Sequence, residues 1–404
     1  MLQRCHAYFD AYPRQFWMIA CGVLVSSTGS SLVWPFQFIY ISRTLGMSLS
    51  TVATLITISS ATGLLVSFLA GAIADRLGRK PVMFVAQAAQ ALAWLLMSQA
   101  GSYLGFLVPL TILAAAQPLY SVGSDAMMAD MIPPGQRASG YSILRTFNNA
   151  GIALGPAVGG FIVSRSYVAG FHGAALVMLA YSVFLLFWVR ETRPLARVAA
   201  GPMVGGYREV FRDRGYIVFS LIVTLGMIAP LMMWTLLAVY TKQNFQFPEH
   251  LYSWLPITNA LMCVSVQVLV TRFTRRHKPL PMLTLGMLVY ALGVGSVALM
   301  SSFWGFWVSM VIFSFGELIV APTGTAYVAN RAPIAFRGRY MSIYWMTWGL
   351  ARAVAPVVGG FLNDRISPHA VWYGGLAIGL ASTLGLFILA GSKARAAAAA
   401  PSLP

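Results

Sequence analysis

Long uncharged, apolar runs recur along almost the whole chain, each closed by a short stretch rich in Arg, Gly, Pro or Asp. A helix needs about 20 apolar residues to cross a bilayer. Lipid offers no partner for backbone N–H and C=O groups, so such runs must be helical. The pattern predicts twelve transmembrane helices, over 16–39, 49–72, 81–100, 104–128, 141–163, 171–189, 217–240, 251–270, 280–300, 304–328, 339–362 and 370–391. One run departs from good helix chemistry. "NAGIALGPAVGG", Asn149 to Gly160, holds four glycines and a proline. A glycine costs a helix interior about 0.8–1.0 kcal/mol relative to alanine, and a proline about 3, so this stretch asks for a packing reason.

Composition agrees with the pattern. Of 404 residues 58% are hydrophobic and 9% charged, and the mean hydropathy is +0.73. Soluble domains carry roughly 25% charged residues, so the chain is read as an all-α integral membrane protein. The net charge of +17 would suit nucleic acid, but its distribution excludes that reading. With the N-terminus inside, 21 Lys and Arg fall on one side of the membrane. Four (Arg43, Arg165, Lys242 and Arg365) fall on the other, and Arg145 and Arg352 lie inside helices. The positive-inside rule then puts both termini in the cytoplasm. Cys5, Cys21 and Cys263 are scattered and predict no disulfide framework. The first run is too long for a signal peptide and is kept as helix.

The chain is written twice. "RASGYSILRTFNNAGIALGPAVGGFI" from Arg137 aligns without a gap with "RGRYMSIYWMTWGLARAVAPVVGGFL" from Arg337, and "DAMMADMIPPGQR" from Asp125 with "TAYVANRAPIAFR" from Thr325. The Arg-, Gly- and Pro-rich stretch between spans 6 and 7 reads as a linker. This gives a six-helix bundle over 1–189, a cytoplasmic linker over 190–216, and a second bundle over 217–404 ending in a short cytoplasmic tail. Parallel six-helix repeats around a central site are a transporter architecture.

Two motifs then carry a family resemblance. "GAIADRLGRK", Gly71 to Lys80, matches Gly-x-x-x-Asp-Arg-x-Gly-Arg-Lys/Arg between spans 2 and 3. The stretch ending at Gly160 contains Gly-x-x-x-Gly-Pro-x-x-Gly-Gly in span 5. With twelve spans and two related halves, the chain resembles the major facilitator superfamily over essentially its whole length, and within it the twelve-span drug–proton antiporters. The resemblance implies two pseudo-symmetric six-helix bundles that alternate access to a substrate site.

Gly151, Gly155 and Gly159 recur every four residues on one helical face, where small residues let backbones approach, and Pro156 bends the helix. Ala351, Ala355, Pro356 and Gly359 repeat the pattern in span 11. With Gly160, these positions predict a hinge of two smooth helices facing each other between the halves. Plain helix packing is the alternative. In the loop motif, Asp75 ends span 2, where its own helix dipole disfavours it, so it needs a cation or a neighbouring helix N-terminus. Gly78 permits a tight turn, and Arg76, Arg79 and Lys80 can reach Asp130 at the end of span 4. The resemblance implies a conformational latch made from Gly71, these residues and Asp130. The alternative is charge that only sets topology.

Charges within spans are costly, roughly 2.5–3.5 kcal/mol each at the bilayer centre. Glu317 in span 10 and Arg352 in span 11 fall near the same mid-depth on antiparallel neighbours. A buried carboxylate resists ionisation and a nearby Arg favours it, so relative movement of the two would switch proton affinity. A static ion pair, or a Glu317 that contacts substrate without titrating, are the alternatives. Asp125 in span 4 and Arg145 in span 5 form a second candidate pair, read as a cytoplasmic-side gate before a proton carrier. Span 4 has Thr111 where the family often has an Arg, and span 1 has no acid. This moves the expected coupling to the C-terminal half, with uniport as the other outcome.

The resemblance further implies a substrate cavity lined by spans 1, 4, 7 and 10. Trp34, Phe36, Gln37, Gln117, Tyr120, Met227, Met233, Trp234 and Glu317 are candidates, because aromatic and Met side chains make adaptable apolar surface that a few polar groups can complement. The resulting expectation is a monomeric secondary transporter of a bacterial-type inner membrane. It exports lipophilic or amphipathic small molecules in exchange for protons, without a cofactor, bound metal or covalent chemistry. The competing readings are a dedicated exporter of one metabolite, sugar or lipid-linked compound, and a non-transporting membrane sensor on the same fold.

Overall fold

The structure, a computed structural model, describes residues 12–133, 136–192, 207–333 and 337–399. Among the described residues the regular structure is helical, with no strand. The helices are α1 (Arg14–Ser31), α2 (Trp34–Leu45), α3 (Leu49–Leu77), α4 (Arg79–Gln99), α5 (Tyr103–Met131), α6 (Arg137–Arg165), α7 (Tyr167–Trp188), α8 (Tyr207–Arg212), α9 (Arg214–Phe245), α10 (Glu249–Tyr252), α11 (Trp254–Ser265), α12 (Gln267–Thr274), α13 (Pro279–Ser296), α14 (Phe303–Arg331), α15 (Arg337–Arg365) and α16 (Ala370–Ala399).

Nine of the described helical spans are long and apolar enough to cross a membrane. They become ten if the pair Glu249–Ser265 and Gln267–Thr274, bent by 57°, is one span. The first of the nine joins α1 and α2 over Arg14–Leu45. At the remaining two expected places stand α6 and α15, each 29 residues long but more polar, with Arg145 and Arg352 in their interiors. The short α8 buries Val210 and exposes Phe211.

The repeat holds at the level of helix starts. Arg14 and Arg214, Leu49 and Glu249, Arg79 and Pro279, Tyr103 and Phe303, and Arg137 and Arg337 each open corresponding helices 200 residues apart. Local chemistry repeats too. Ser102 Oγ accepts the Gly105 N–H at 3.1 Å, and Ser302 Oγ accepts the Gly305 N–H at 3.3 Å, each an N-cap that satisfies an otherwise unpaired donor.

By packing, the chain divides into two compact units. The described residues of one fall within 1–47, 58–199 and 247–260, and those of the other within 48–57, 200–246 and 261–404. The first turns of α3 thus pack with the second unit, and α10 with the start of α11 packs with the first. In the first unit α1 packs on α6 and α7, and α4 packs on α5 and α7. In the second, α9 packs on α15 and α16, and α13 on α14 and α16, the same scheme again.

The glycine stripe of α6 is used inside the first unit. A Cβ at Gly151 would lie 2.6 Å from Leu24 O, one at Gly155 2.8 Å from Leu32 N, and one at Gly159 would overlap Leu32 O. Backbone meets backbone here, at α1 and at the break that follows it. In α15, Ala351 and Ala355 are fully buried, and a Cβ at Gly359 would run into Leu236 of α9. Each stripe is thus used within its own unit, where it seats the first long helix. Pro156 and Pro356 stand inside uninterrupted helices.

Candidate functional site

Three sets of polar side chains are built into this helical frame: at the basic ends of the helices, at their opposite ends, and at mid-length.

At the basic end of the first unit, α4 starts after Gly78, whose φ of +99° is one that side-chain-bearing residues rarely adopt. A Cβ there would also collide with Glu191 Oε2. The Glu191 carboxylate accepts the backbone N–H groups of Arg79 and Lys80 at 3.1 and 3.0 Å. An anion at a helix N-terminus satisfies free donors and complements the dipole. The Arg79 guanidinium lies 3.3 Å from Asp130 Oδ2 and donates to Ala74 O at 3.2 Å. Thr192 Oγ1 donates to the same Asp130 oxygen at 3.2 Å. The turn, Arg79 and Asp130 are thus brought together. Gly71 has open space beside it, Arg76 and Lys80 are exposed or partly so, and the side chain of Asp75 lies outside the described residues. Glu191 and Thr192 escaped the sequence reading because they open a stretch that reads only as linker.

The second unit has its own version. Asp213 caps α9, accepting the Tyr216 N–H at 3.0 Å. It pairs with Arg331 at the end of α14 through two hydrogen bonds, Nε to Oδ2 at 2.9 Å and Nη2 to Oδ1. Tyr340 Oη donates to Asp213 Oδ2 at 3.2 Å. Burial alone would raise the Asp213 pKa. The Arg331 contact, the Tyr216 N–H and the Tyr340 hydroxyl outweigh it and hold the carboxyl below its ordinary value.

At the opposite ends, Tyr167 Oη donates to the buried Glu249 carboxylate at 2.7 Å in the first unit. In the second, the Ser50 N–H donates to Asp364 Oδ2 at 2.7 Å, and Thr57 Oγ1 to Ala353 O at 2.6 Å. Gly160 and Gly360 make room for these joints. A Cβ on the first would collide with Ser253 Oγ, and on the second would meet the Ser50 backbone at 2.8 Å.

At mid-length, Glu317 stands fourteen residues from either end of α14. Tyr290 of α13 is within its electrostatic reach, and the neighbouring Gly316 lets the two helices close, since a Cβ there would lie 2.7 Å from Tyr290 N. Five residues on, Pro322 has no N–H to give to Leu318 O. Gln267, just past the 57° bend, donates its side-chain amide to that carbonyl at 3.1 Å. Arg352 lies near the middle of α15 with an accessible side chain. No ion pair joins Arg352 to Glu317, or Arg145 to Asp125, among the described residues. Asp125 and Arg145 are both exposed, and the Tyr141 hydroxyl reaches the Asp125 backbone carbonyl at 3.3 Å.

The expected cavity residues fall into two groups. Phe36, Tyr120, Met227 and Met233 are buried packing residues, and Tyr120 donates to Tyr181 Oη at 3.2 Å inside an apolar cluster with Phe16, Met127 and Leu185. Trp34 and Gln117 are exposed, Gln37 is half-buried, and Trp234, also half-buried, sets its ring edge-on to Phe313 at 5.7 Å. Tyr120 and Met233 are thus packed away in this structure, whereas Trp34 and Gln117 are accessible.

Comparison with known proteins adds a family. The Major Facilitator Superfamily profile matches residues 19–356 and 222–403. A Na(+), Li(+), K(+)/H(+) antiporter of Planococcus maritimus is 24% identical over 386 residues, covering 87% of this chain and 88% of the relative. Multidrug resistance protein MdtH of Yersinia enterocolitica is 23% identical over 327 residues, covering 78% and 80%. Among solved structures, a point mutant of the nucleoside transporter NupG superposes with a TM-score of 0.80 at 12% identity, covering 93% of this chain and all of that one. A likeness at such identity concerns the fold alone.

Proposed function

Because this chain belongs to the major facilitator superfamily, we propose that it is a proton-coupled antiporter exporting lipophilic or amphipathic small molecules by alternating access. Glu317 exchanges the proton. The observation that carries this reading is a carboxylate at the midpoint of a membrane-spanning helix, where an acid is rare and costly unless it serves a pathway. Arg352 stands at similar depth on another helix of the same unit. In the proposed cycle it approaches Glu317 in one state, favouring the carboxylate, and leaves in the other, favouring proton uptake. Asp125 and Arg145 act as a second, gating pair. The Arg79–Asp130 and Asp213–Arg331 groups hold one state of the cycle. The protein works as a monomer in a bacterial inner membrane, with the basic helix ends in the cytoplasm. The relatives named for multidrug resistance and for cation–proton antiport support exchange. The second of these favours an alternative in which a monovalent cation is the cargo.

The test uses purified protein in liposomes with an internal pH dye. Gradients of lipophilic cations, neutral drugs, sugars and K+ are imposed in turn on wild type and Glu317→Gln. Proton movement driven by a lipophilic compound, lost in the variant while binding is kept, supports the proposal. Movement driven only by K+ replaces it with the cation reading, and substrate flux without proton movement in either protein overturns both.

A further inference from the structure

The second unit carries a groove of about 830 Å3 at the basic ends of α13, α14 and α16. Its walls are apolar: Leu285 and Leu288 from α13 face Phe387 from α16. Its floor is left low by Ala390 and Gly391, and a Cβ on Gly391 would meet nothing within 4 Å. Phe387 belongs to a broad exposed apolar face of α16 that includes Leu380, Leu384 and Ile388, which in a membrane protein is a face for acyl chains. Among the described residues a cation stands at the mouth. Lys278, the residue before α13, is exposed and makes no ion pair among the described residues. Tyr327, four residues before the end of α14, lies at the same level, where Tyr is favoured at the membrane–water boundary.

The surrounding sequence is one-sided in charge. Arg272, Arg275 and Arg276 precede Lys278, and no acidic residue occurs between Glu249 and Glu317. An apolar slot for a chain, a cation at its polar end and a basic approach complement an anionic amphiphile lying in the leaflet.

We propose that this groove is a binding site for an anionic glycerophospholipid of the basic-side leaflet. One acyl chain lies between α13 and α16, and the headgroup phosphate rests on Lys278. The proposal needs no transport reading and would stand if that reading fell.

The test is photocrosslinking in nanodiscs. Phosphatidylglycerol bearing a diazirine in its acyl chain is present at trace level in a phosphatidylcholine host, and labelled peptides are mapped by mass spectrometry. A phosphatidylcholine probe of the same chain serves as reference. The expected result is label from the anionic probe concentrated in 279–291 and 384–391, competed by unlabelled phosphatidylglycerol. Lys278→Ala lowers that enrichment about fivefold, the worth of one basic residue near a charged membrane surface, and Lys278→Arg keeps it. Gly391→Trp fills the slot and removes the label there; if that variant fails to fold, the Lys278 pair decides. Equal labelling by both probes, or enrichment indifferent to Lys278→Ala, overturns the proposal.

Discussion

Gly159 and Gly71 are both helical glycines of the family-like motifs, and the structure gives them opposite demands. At Gly159 any Cβ collides with the Leu32 carbonyl, a backbone atom that cannot step aside alone. Gly159→Ala is therefore expected to destabilise the protein by about 1–3 kcal/mol, in the range of overpacking, and to lower its thermal midpoint in detergent. At Gly71 a Cβ meets nothing within 4 Å. Gly71→Ala should leave the midpoint unchanged or raise it, because alanine is the better helix former by about 0.5–1 kcal/mol. Equal losses in the two variants would contradict the packing account. Four-residue spacing was legible in the chain; which helix receives the stripe was not, since spacing defines a face and not its partner. Gln267 shows the same limit. Its role depends on the carbonyl freed by Pro322, fifty-five residues away, and no local pattern joins the two.

At the scale of elements, helix ends are tied by acids. Asp213 joins the start of α9 to the end of α14, and its carboxyl is held below the ordinary value near 4 despite burial. A carboxyl depressed in the folded state contributes stability above its unfolded pKa, and loses it as pH falls through the folded value. Asp213→Asn should therefore cost about 1–3 kcal/mol at neutral pH, the scale of a charged hydrogen-bonded group. The gap from wild type should close only below about pH 4. A gap that keeps its neutral-pH size all the way down the acid limb, with no tendency to close, would show that Asp213 acts through packing instead. Glu191 makes a second element-scale prediction. In Glu191→Ala the Arg79 and Lys80 amides lose their acceptor, so hydrogen exchange should quicken at the first turn of α4 and leave its last turn unchanged. Uniform acceleration along α4 would mean general loosening. Asp130 and Arg79 could be matched from the sequence because both sit at ends of apolar runs. Glu191 and Asp213 could not, because a residue in a linker has no periodicity to place it.

For the whole molecule, the 200-residue repeat makes the halves architecturally alike and chemically unlike. Glu317 and Arg352 occur only in the second half; their counterparts are Gln117 and Ile152. Coupling assigned to the second half makes a prediction beyond Glu317→Gln. Arg352→Gln should shift the pH at which exchange is half-maximal, while Arg352→Lys keeps it near wild type, read from initial rates in the same liposomes. An unshifted profile in Arg352→Gln would remove Arg352 from the proposed coupling.

Hydropathy, spacing and contiguous motifs are carried by neighbours along the chain. They were enough to establish that this protein enters a membrane, that it prepares long helices, that it repeats, and which family it resembles. Contacts between distant helices were needed to show that the glycine stripes seat α1 and α9, that Tyr120 and Met233 pack as core, and that Gln267 serves a proline-freed carbonyl. The same contacts place the opening turns of α3 and α10 in the unit encoded by the other half. Each of these depends on which surfaces meet across tens or hundreds of residues. Between helices in lipid that choice is made by close packing and hydrogen bonding, because hydrophobicity no longer separates inside from outside.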